Sequence, residues 1–421
     1  MKKTKNTNKG SGFQPRRTGT QTASSRTSSV DVSAAKNAKF AKAEGRELSC
    51  VKRSTTSSRG GAEARRLNVV SLFSGAGGLD VGLAAAGFDL LFENDINSYC
   101  CKTLEAAGKI LPQMKDAEIV CGDIKNISGP RILQHVRALG KEVDLLAGGP
   151  PCQAFSVFGN RKGREDARGQ MVDEYFRILG EIAPPAFVFE NVFGLLTVQN
   201  GEVFKLVKEK LAHPTDALEY DIRVFRLNAV DYGVPQFRDR IIIIGSRLGT
   251  NVTDIPKVAF ENPKTGQLRY RTVRDGLRNL PPPNEKSPSI HTGRVHGDAV
   301  IRRYDVMEPG ARDVHTRINR LDLDRPSFTI ICGSEHSGGK GHVHPTEPRE
   351  VTPRESARMQ TFPDWWPFYG VGRHAIRQVG NAVPALLAFA IGNEIRSQIF
   401  GMKKISFKRG VRFLGQEHLF Q

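Results

Sequence analysis

From Leu67 onward the chain alternates short apolar runs with longer amphipathic stretches. "LNVVSLFSG" (67–75), "DLLFEND" (89–95), "AEIVCGD" (117–123), "EVDLLAGGPP" (142–151) and "AFVFENV" (186–192) read as buried strands that run into Gly, Asp or Asn, with helical segments between them. Strands at that spacing imply right-handed βαβ crossovers and a mostly parallel sheet covered on both faces. "DIRVFRLNA" (221–229) and "RIIIIGSR" (240–247) follow closely enough to close the sheet as an antiparallel pair. The expected class is therefore α/β, and in such sheets ligands sit at the carboxyl ends of the strands.

The pattern fails at both ends and in one internal stretch. Residues 1–66 are rich in Ser, Thr, Lys and Arg and lack an apolar period, so they are expected to be a disordered basic tail. They hold sixteen Lys and Arg against four acids, most of the imbalance in a chain with 62 Lys and Arg, 44 Asp and Glu and a net charge of +18. Such a tail can raise nucleic-acid affinity through phosphate contacts; a solvated arm without a role and an organelle-targeting peptide are the alternatives. Residues 67–250 are expected to form a catalytic and cofactor-binding domain and 251–372, rich in Pro, Gly, Arg and His, a smaller irregular one. Residues 373–400 read as a return segment that completes the first domain, and 401–421 as a basic C-terminal tail. No run of about 18 apolar residues marks a membrane span. Six cysteines with no CxxC pair fit a reducing, intracellular setting.

Unusual residues gather at the predicted strand ends. In "FSGAGGLDVGLAAAGF" (73–88), Gly75, Gly77 and Gly78 allow a sharp turn and close approach to a ligand, with a helix N-terminus behind them. The dinucleotide pattern GxGxxG fails here, because position 80 is Asp80. The loop reads as a nucleoside-type cofactor site or simply as a tight strand-to-helix turn. Glu93 ends the second strand, where a carboxylate can take both ribose hydroxyls, and Asp123 the third; turn formation or capping is the plainer role for such acids. Cys152 follows Pro150 and Pro151, which fix two φ angles and withhold two donors, so the thiol is aimed rather than mobile. A small packed cysteine is the alternative. Glu190 and Asn191 end the fifth strand behind "AFVF", and Arg238 and Arg240 stand two apart on one face at the start of another. "CGSEHSGGKGHVHP" (332–345) offers Cys332, His336, His342 and His344, but the spacing fits no zinc template, so no metal is expected.

In order and identity these motifs resemble the DNA (cytosine-5)-methyltransferase family, of the prokaryotic restriction-modification type. The resemblance covers about residues 67–250 and 320–400 through "FSGAGGL", "GGPPCQAFS", "FENV", "QFRDR", "RPSFTI" (325–330) and "QVGNAVP" (378–384). It implies a Rossmann-like, S-adenosylmethionine-dependent methyltransferase sheet with a smaller irregular target-recognition domain at 251–372. It also implies a role for each matched position. Cys152 would attack carbon 6 of a flipped-out cytosine, Glu190 would hold the ring nitrogen and exocyclic amine, and Arg240 with Arg238 the base oxygen. S-adenosyl-L-methionine would lie against Phe73 and the Gly75, Gly77 and Gly78 loop, with Glu93 on its ribose. Asn94, Asp123, Ile124, Pro151, Asn381 and Ala382 would complete the pocket; Ala382 and Asn94 depart from the hydroxyl and the large apolar residue of many relatives. Asp166, Arg168 and Gly169 would belong to a lid over the DNA. The implied partners are double-stranded DNA and a cognate restriction endonuclease acting on the same site, for a monomer working in the bacterial cytoplasm on the nucleoid. An RNA cytosine methyltransferase and a catalytically dead DNA-binding relative are the competing classes.

Overall fold

The computed structural model describes residues 65–151, 170–258, 269–283, 288–330 and 341–421. Seven strands form one sheet in the order β3-β2-β1-β4-β5-β7-β6. They are β1 (Leu67–Leu72), β2 (Phe88–Asp95), β3 (Glu118–Cys121), β4 (Leu145–Gly148), β5 (Ala186–Val192), β6 (Asp221–Asn228) and β7 (Asp239–Ser246). β1 to β5 run parallel, while β7 runs antiparallel to both β5 and β6. The expected α/β class and the closing antiparallel pair are both found.

Side chains from alternate residues of the central strands build two cores, one on each face. Val69, Leu145, Ala147, Val188, Ile242 and Ile244 point to one. Val70, Leu72, Leu146, Phe187, Phe189, Ile241 and Ile243 point to the other. Because both faces are covered, the central strands read as continuous apolar runs rather than as an alternation. The edge strand β6 is different: it carries Asp221, Arg223 and Arg226, and charge on an open edge discourages pairing with other chains.

Helices α1 (Gly78–Ala85), α2 (Ser98–Gly108), α3 (Gly129–Ala138), α4 (Gln170–Ile182) and α5 (Glu202–Ala212) connect the strands. After β7 regular structure is sparse: α6 (Val273–Leu277), α7 (Asp298–Asp305) and α8 (Pro353–Met359) are short, and two small apolar clusters sit among the loops. The chain then returns with α9 (Arg373–Asn381) and α10 (Ala385–Glu394), and α10 packs along α1. All eight residues of α1 are buried, as are nine of the ten in α10. A helix apolar all round must be enclosed by protein. The stretch Arg373–Ile399 is long and apolar enough by composition to cross a membrane, but most of it is buried inside this fold.

The segment 401–421 differs from the expected basic tail. It forms α11 (Phe407–Phe413) and a final turn, Glu417–Phe420, and buries Val411, Leu414 and Leu419 against the α1–α10 core. Phe407, Val411 and Leu414 share one helical face, a spacing diluted in the sequence by Lys408, Arg409 and Arg412. Of the expected N-terminal arm only Arg65 and Arg66 are described, and they bind Asp144 and Asp89 at the amino edge of the sheet.

Candidate active site

The strand order reverses between β1 and β4, and Leu72 lies directly beside Gly148. The loop 73–78 and the turn 149–151 therefore leave neighbouring strands at the same level, at the edge where α/β sheets bind ligands.

Phe73 has φ 55°, a left-handed conformation that costs a non-glycine residue energy and is typical of loops shaped for a ligand. The loop is pinned by Ser74 N donating to Asn94 O (2.9 Å) and Gly75 N donating to Asp95 Oδ2 (2.9 Å). A Cβ on Gly75 would meet nothing within 4 Å, so that side of the loop is open. Gly77 and Gly78 are confined instead. Gly77 has φ +78°, and a Cβ there would stand 2.7 Å from the Trp366 ring, whose Nε1 donates to Ala76 O. A Cβ on Gly78 would stand 2.3 Å from Val383 O and 3.0 Å from Ala382 Cβ, so the 382–383 turn lies directly on the first turn of α1. Gly78→Ala is expected to destabilise the protein by about 1–3 kcal/mol through overpacking against backbone. Thermal melting and cofactor titration would both register the displaced loop.

Glu93 and Asp80 are wholly buried side by side, Glu93 near the end of β2 and Asp80 in the first turn of α1. Among the described residues none of their four carboxyl oxygens has a partner in strict hydrogen-bond geometry, although the Ser71 hydroxyl and the helix backbone lie near enough to Asp80 to favour its charged form. Burial, and then each other's charge, raise Glu93 well above the carboxylate range, while burial raises Asp80 to about 7. Asn94 spends its amide on Val120 O (2.9 Å) and Gly122 O (3.0 Å), bracing the end of β3. Asp123 caps the turn Ile124–Asn126 by accepting from Lys125 N, and Ile124 is buried beneath it. Ala382 is buried, whereas Asn381 and Pro151 are exposed.

On the other side of the reversal, Glu190 and Asn191 end β5. A Cβ on Gly149 would stand 2.7 Å from Glu190 Oε2, and Asn191 Nδ2 donates to Pro150 O (3.1 Å). A side chain at Gly149 would push on the carboxyl end of the glutamate. Val192 pairs with Arg240, which puts Glu190 diagonally across from that arginine on the same face. Arg240 Nε lies 2.6 Å from Glu190 Oε1, an ion pair with both side chains about nine-tenths buried, although its angle falls outside hydrogen-bond geometry.

Arg238 points elsewhere. Its guanidinium is buried and donates to Gly380 O (2.7 Å), Ala382 O (3.0 Å) and Ile330 O (3.4 Å). One side chain thus joins "QFRDR", "RPSFTI" and "QVGNAVP". Gln236 adds to the joint, accepting from Ile330 N and donating to Met359 O.

Cys152, Asp166, Arg168 and Gly169 lie outside the described residues, as do Cys332 and His336 of the weighed metal cluster. His342 and His344 are buried; His342 Nε2 donates to Phe328 O, and burial lowers its pKa to about 4, so the ring is neutral. Among the described residues no group of three His, Cys, Asp or Glu could hold a metal ion. Three contributors to the site were not singled out in the sequence for what they do: Asp80, Asp95 and Trp366. Asp80 registered only as the residue that breaks a glycine pattern, and Trp366 meets its loop across 290 residues of chain.

The C-5 cytosine-specific DNA methylase family model matches residues 67–397. The Type II methyltransferase M.XorII of Xanthomonas oryzae pv. oryzae is 33% identical over 364 residues, covering 77% of this chain and 84% of that protein. M.PspPI of a Psychrobacter species, also a Type II methyltransferase, is 37% identical over 357 residues and 79% of each chain. An E. coli structure, described as a DNA modification methyltransferase encoded within a prophage, superimposes with a TM-score of 0.63 at 26% identity, over 79% of this chain and 99% of that one. Methyltransferases of this kind draw their methyl group from S-adenosylmethionine. With its sheet, its strand-end motifs and these relatives taken together, the chain belongs to the C-5 cytosine-specific DNA methylase family and is a DNA cytosine-5 methyltransferase.

Proposed function

We propose that the protein methylates carbon 5 of a flipped-out cytosine within one short sequence of double-stranded DNA, through a covalent bond from Cys152 to carbon 6. The observation that carries this reading is the junction of β4 and β5. Pro150 O is tied to Asn191 and Gly149 lies against Glu190, so the turn that leads into the sequence position of Cys152 is anchored beside the Glu190–Arg240 pair.

Each residue then has a task. A cytosine in a duplex hides carbon 6 and its Watson–Crick edge, so it must leave the stack, at roughly a few kcal/mol. Cys152 as thiolate adds to carbon 6, and the electron pair displaced toward the ring is balanced by a proton at the ring nitrogen. Glu190 holds that nitrogen and the exocyclic amine, and Arg240, fixed by Glu190, holds the base oxygen. Arg238 acts with Arg240 by locking the strand that carries it to the 380–382 turn. Carbon 5, made nucleophilic by the thiol addition, would take the methyl group from the sulfonium of S-adenosylmethionine with S-adenosylhomocysteine as the leaving group; loss of the carbon 5 proton to a base, return of the ring-nitrogen proton to Glu190 and expulsion of the cysteine thiolate then restore the aromatic ring as 5-methylcytosine.

The residues beside β1 to β3 fit S-adenosylmethionine, which supplies an electrophilic methyl group when bound. A ribose diol brings two O–H donors, and the resemblance assigns them to Glu93, whose carboxyl is enclosed beside Asp80 in this structure and would have to be uncovered to receive them. Gly75 leaves its side of the loop open, Phe73 and Ile124 offer apolar surface to an adenine, and Ala382 closes the pocket over Gly78. Asn94 and Asp123 shape the walls, with Pro151 and Asn381 at the rim. We assign residues 251–372 to target recognition, 67–250 and the return segment 373–400 to catalysis, and 1–66 to a basic arm. The enzyme would act as a monomer on nucleoid DNA in the bacterial cytoplasm, with a restriction endonuclease for the same site as partner.

Transfer of labelled methyl from S-adenosylmethionine to duplex DNA of mixed sequence, followed by bisulfite sequencing, tests this. Protected cytosines are expected in a single short word. Label in RNA and none in DNA would overturn the choice of substrate.

A further inference from the structure

Two cysteines that no role above uses meet at the carboxyl edge of the sheet. Cys101 lies in the first turn of α2 and is buried, while Cys121, the last residue of β3, is exposed. Helix α2 packs against β3. The Cys101 thiol donates to Asp95 O (3.3 Å), and Asp95 is the residue of β2 that stands directly beside Cys121 in the sheet. The two side chains therefore converge on one stretch of β2, and their sulfurs are hydrogen-bond partners. Cys100 is also buried, but one position earlier in the helix turns it about 100° away.

We propose that Cys101 and Cys121 are a reversible redox pair: a peroxide converts them to a disulfide, and the disulfide weakens cofactor binding. Exposure sets the order of events. Cys121, the accessible thiol, attacks the peroxide as thiolate; an S–O bond forms, the O–O bond breaks and one water leaves. Cys101 then attacks the sulfur of that sulfenic acid. The S–S bond forms, the S–O bond breaks, and the Cys101 proton departs with the hydroxide as a second water. Two thiols thus give up two electrons, and one hydrogen peroxide becomes two waters. Burial raises the pKa of Cys101, so it stays a thiol until its partner is oxidised. In a reducing compartment such a bridge is transient and reports oxidant.

The consequence falls on the end of β3. Val120 O and Gly122 O, on either side of Cys121, are held by Asn94 Nδ2, and Gly122 N donates to Asp95 O (3.0 Å). The disulfide removes the proton that Cys101 now gives Asp95 O and draws Cys121 toward α2. Asp123 and Ile124 follow two residues on, so the effect on affinity rests on their place in the cofactor pocket proposed above; the disulfide itself does not.

Reduced full-length protein, treated with hydrogen peroxide, alkylated and digested, is read by mass spectrometry. A peptide pair joined through Cys101 and Cys121, lighter by two hydrogens and restored by dithiothreitol, is expected. No bridge, or a bridge from Cys121 to Cys100, would overturn the proposal. Calorimetric titration with S-adenosylhomocysteine then compares the two forms, which avoids activity because oxidation of Cys152 would abolish it independently. Oxidised wild type should bind about 10-fold more weakly, the scale of one lost hydrogen bond. Cys121→Ser should bind as reduced wild type does, before and after peroxide; an equal loss in that variant places the effect on another thiol and sinks the idea. Cys101→Ser should stop the reaction halfway and leave Cys121 as a sulfenic acid that dimedone labels, and no label means that Cys121 is not the thiol attacked. A bridge that leaves affinity unchanged removes the switch. Reduced protein that fails to bind S-adenosylhomocysteine refutes the cofactor reading instead, and the mass spectrum still decides the bridge.

Discussion

Cys152→Ser is expected to cut methyl transfer by about 10,000-fold or more, the scale on which enzymes lose rate when a covalent nucleophile is removed. Serine keeps the size of the side chain, so the β4 turn and the contacts Gly149–Glu190 and Asn191–Pro150 should survive. Binding of cofactor and of duplex should stay within a few-fold of wild type. DNA with 5-fluorocytosine at the target gives a second readout, because carbon 5 then has no proton to release and the adduct cannot resolve. Wild type should form a denaturant-resistant complex with that duplex and Cys152→Ser should not. Residual transfer above about one per cent would mean that the thiol is not the attacking group.

Glu190→Gln is the other large effect. The amide cannot take up or share a proton at the ring nitrogen, so kcat should fall roughly 100- to 1,000-fold while cofactor affinity is unchanged. It also strips Arg240 of its one carboxylate partner among the described residues, in a setting about nine-tenths buried, so stability should fall as well, by about 1–3 kcal/mol. A double-mutant cycle with Arg240→Met separates the two losses. The stability terms of the two variants should couple, because both report one ion pair, whereas the rate loss of Glu190→Gln should persist in either background. A Glu190→Gln enzyme with normal kcat and lowered melting temperature would reduce this glutamate to a structural ion pair.

The central strands β1, β2, β4, β5 and β7 were legible because each is a buried apolar run, and strands covered on both faces leave little else in their sequence; the edge strands β3 and β6 are largely half-buried or exposed and were placed by their spacing from these. Glu190 and Arg240 stood out in the sequence as charge at the ends of apolar runs, which fits a reacting group or an ion pair alike; the structure pairs them with each other. What local pattern could not show was who meets whom at long range. Arg238 was read beside Arg240 because they are two residues apart, yet its bonds go to carbonyls 142 and 144 residues away. Asp80 was visible only as a missing glycine, since its meaning depends on a carboxylate one strand over. The helix Phe407–Phe413 hid behind its lysines and arginines, which lie on the solvent side of an otherwise apolar face.

The packing of α10 on α1 has a consequence for how the chain is made. The helix Gly78–Ala85 is enclosed on all sides only when residues 385–394 arrive, about 300 residues later. At the usual pace of translation that is an interval of roughly 15–60 s. During it, a helix with a single charged residue, Asp80, must be shielded by the nascent chain or by a chaperone. The cover over α1 is therefore completed only late in synthesis, once residues 385–394 have left the ribosome.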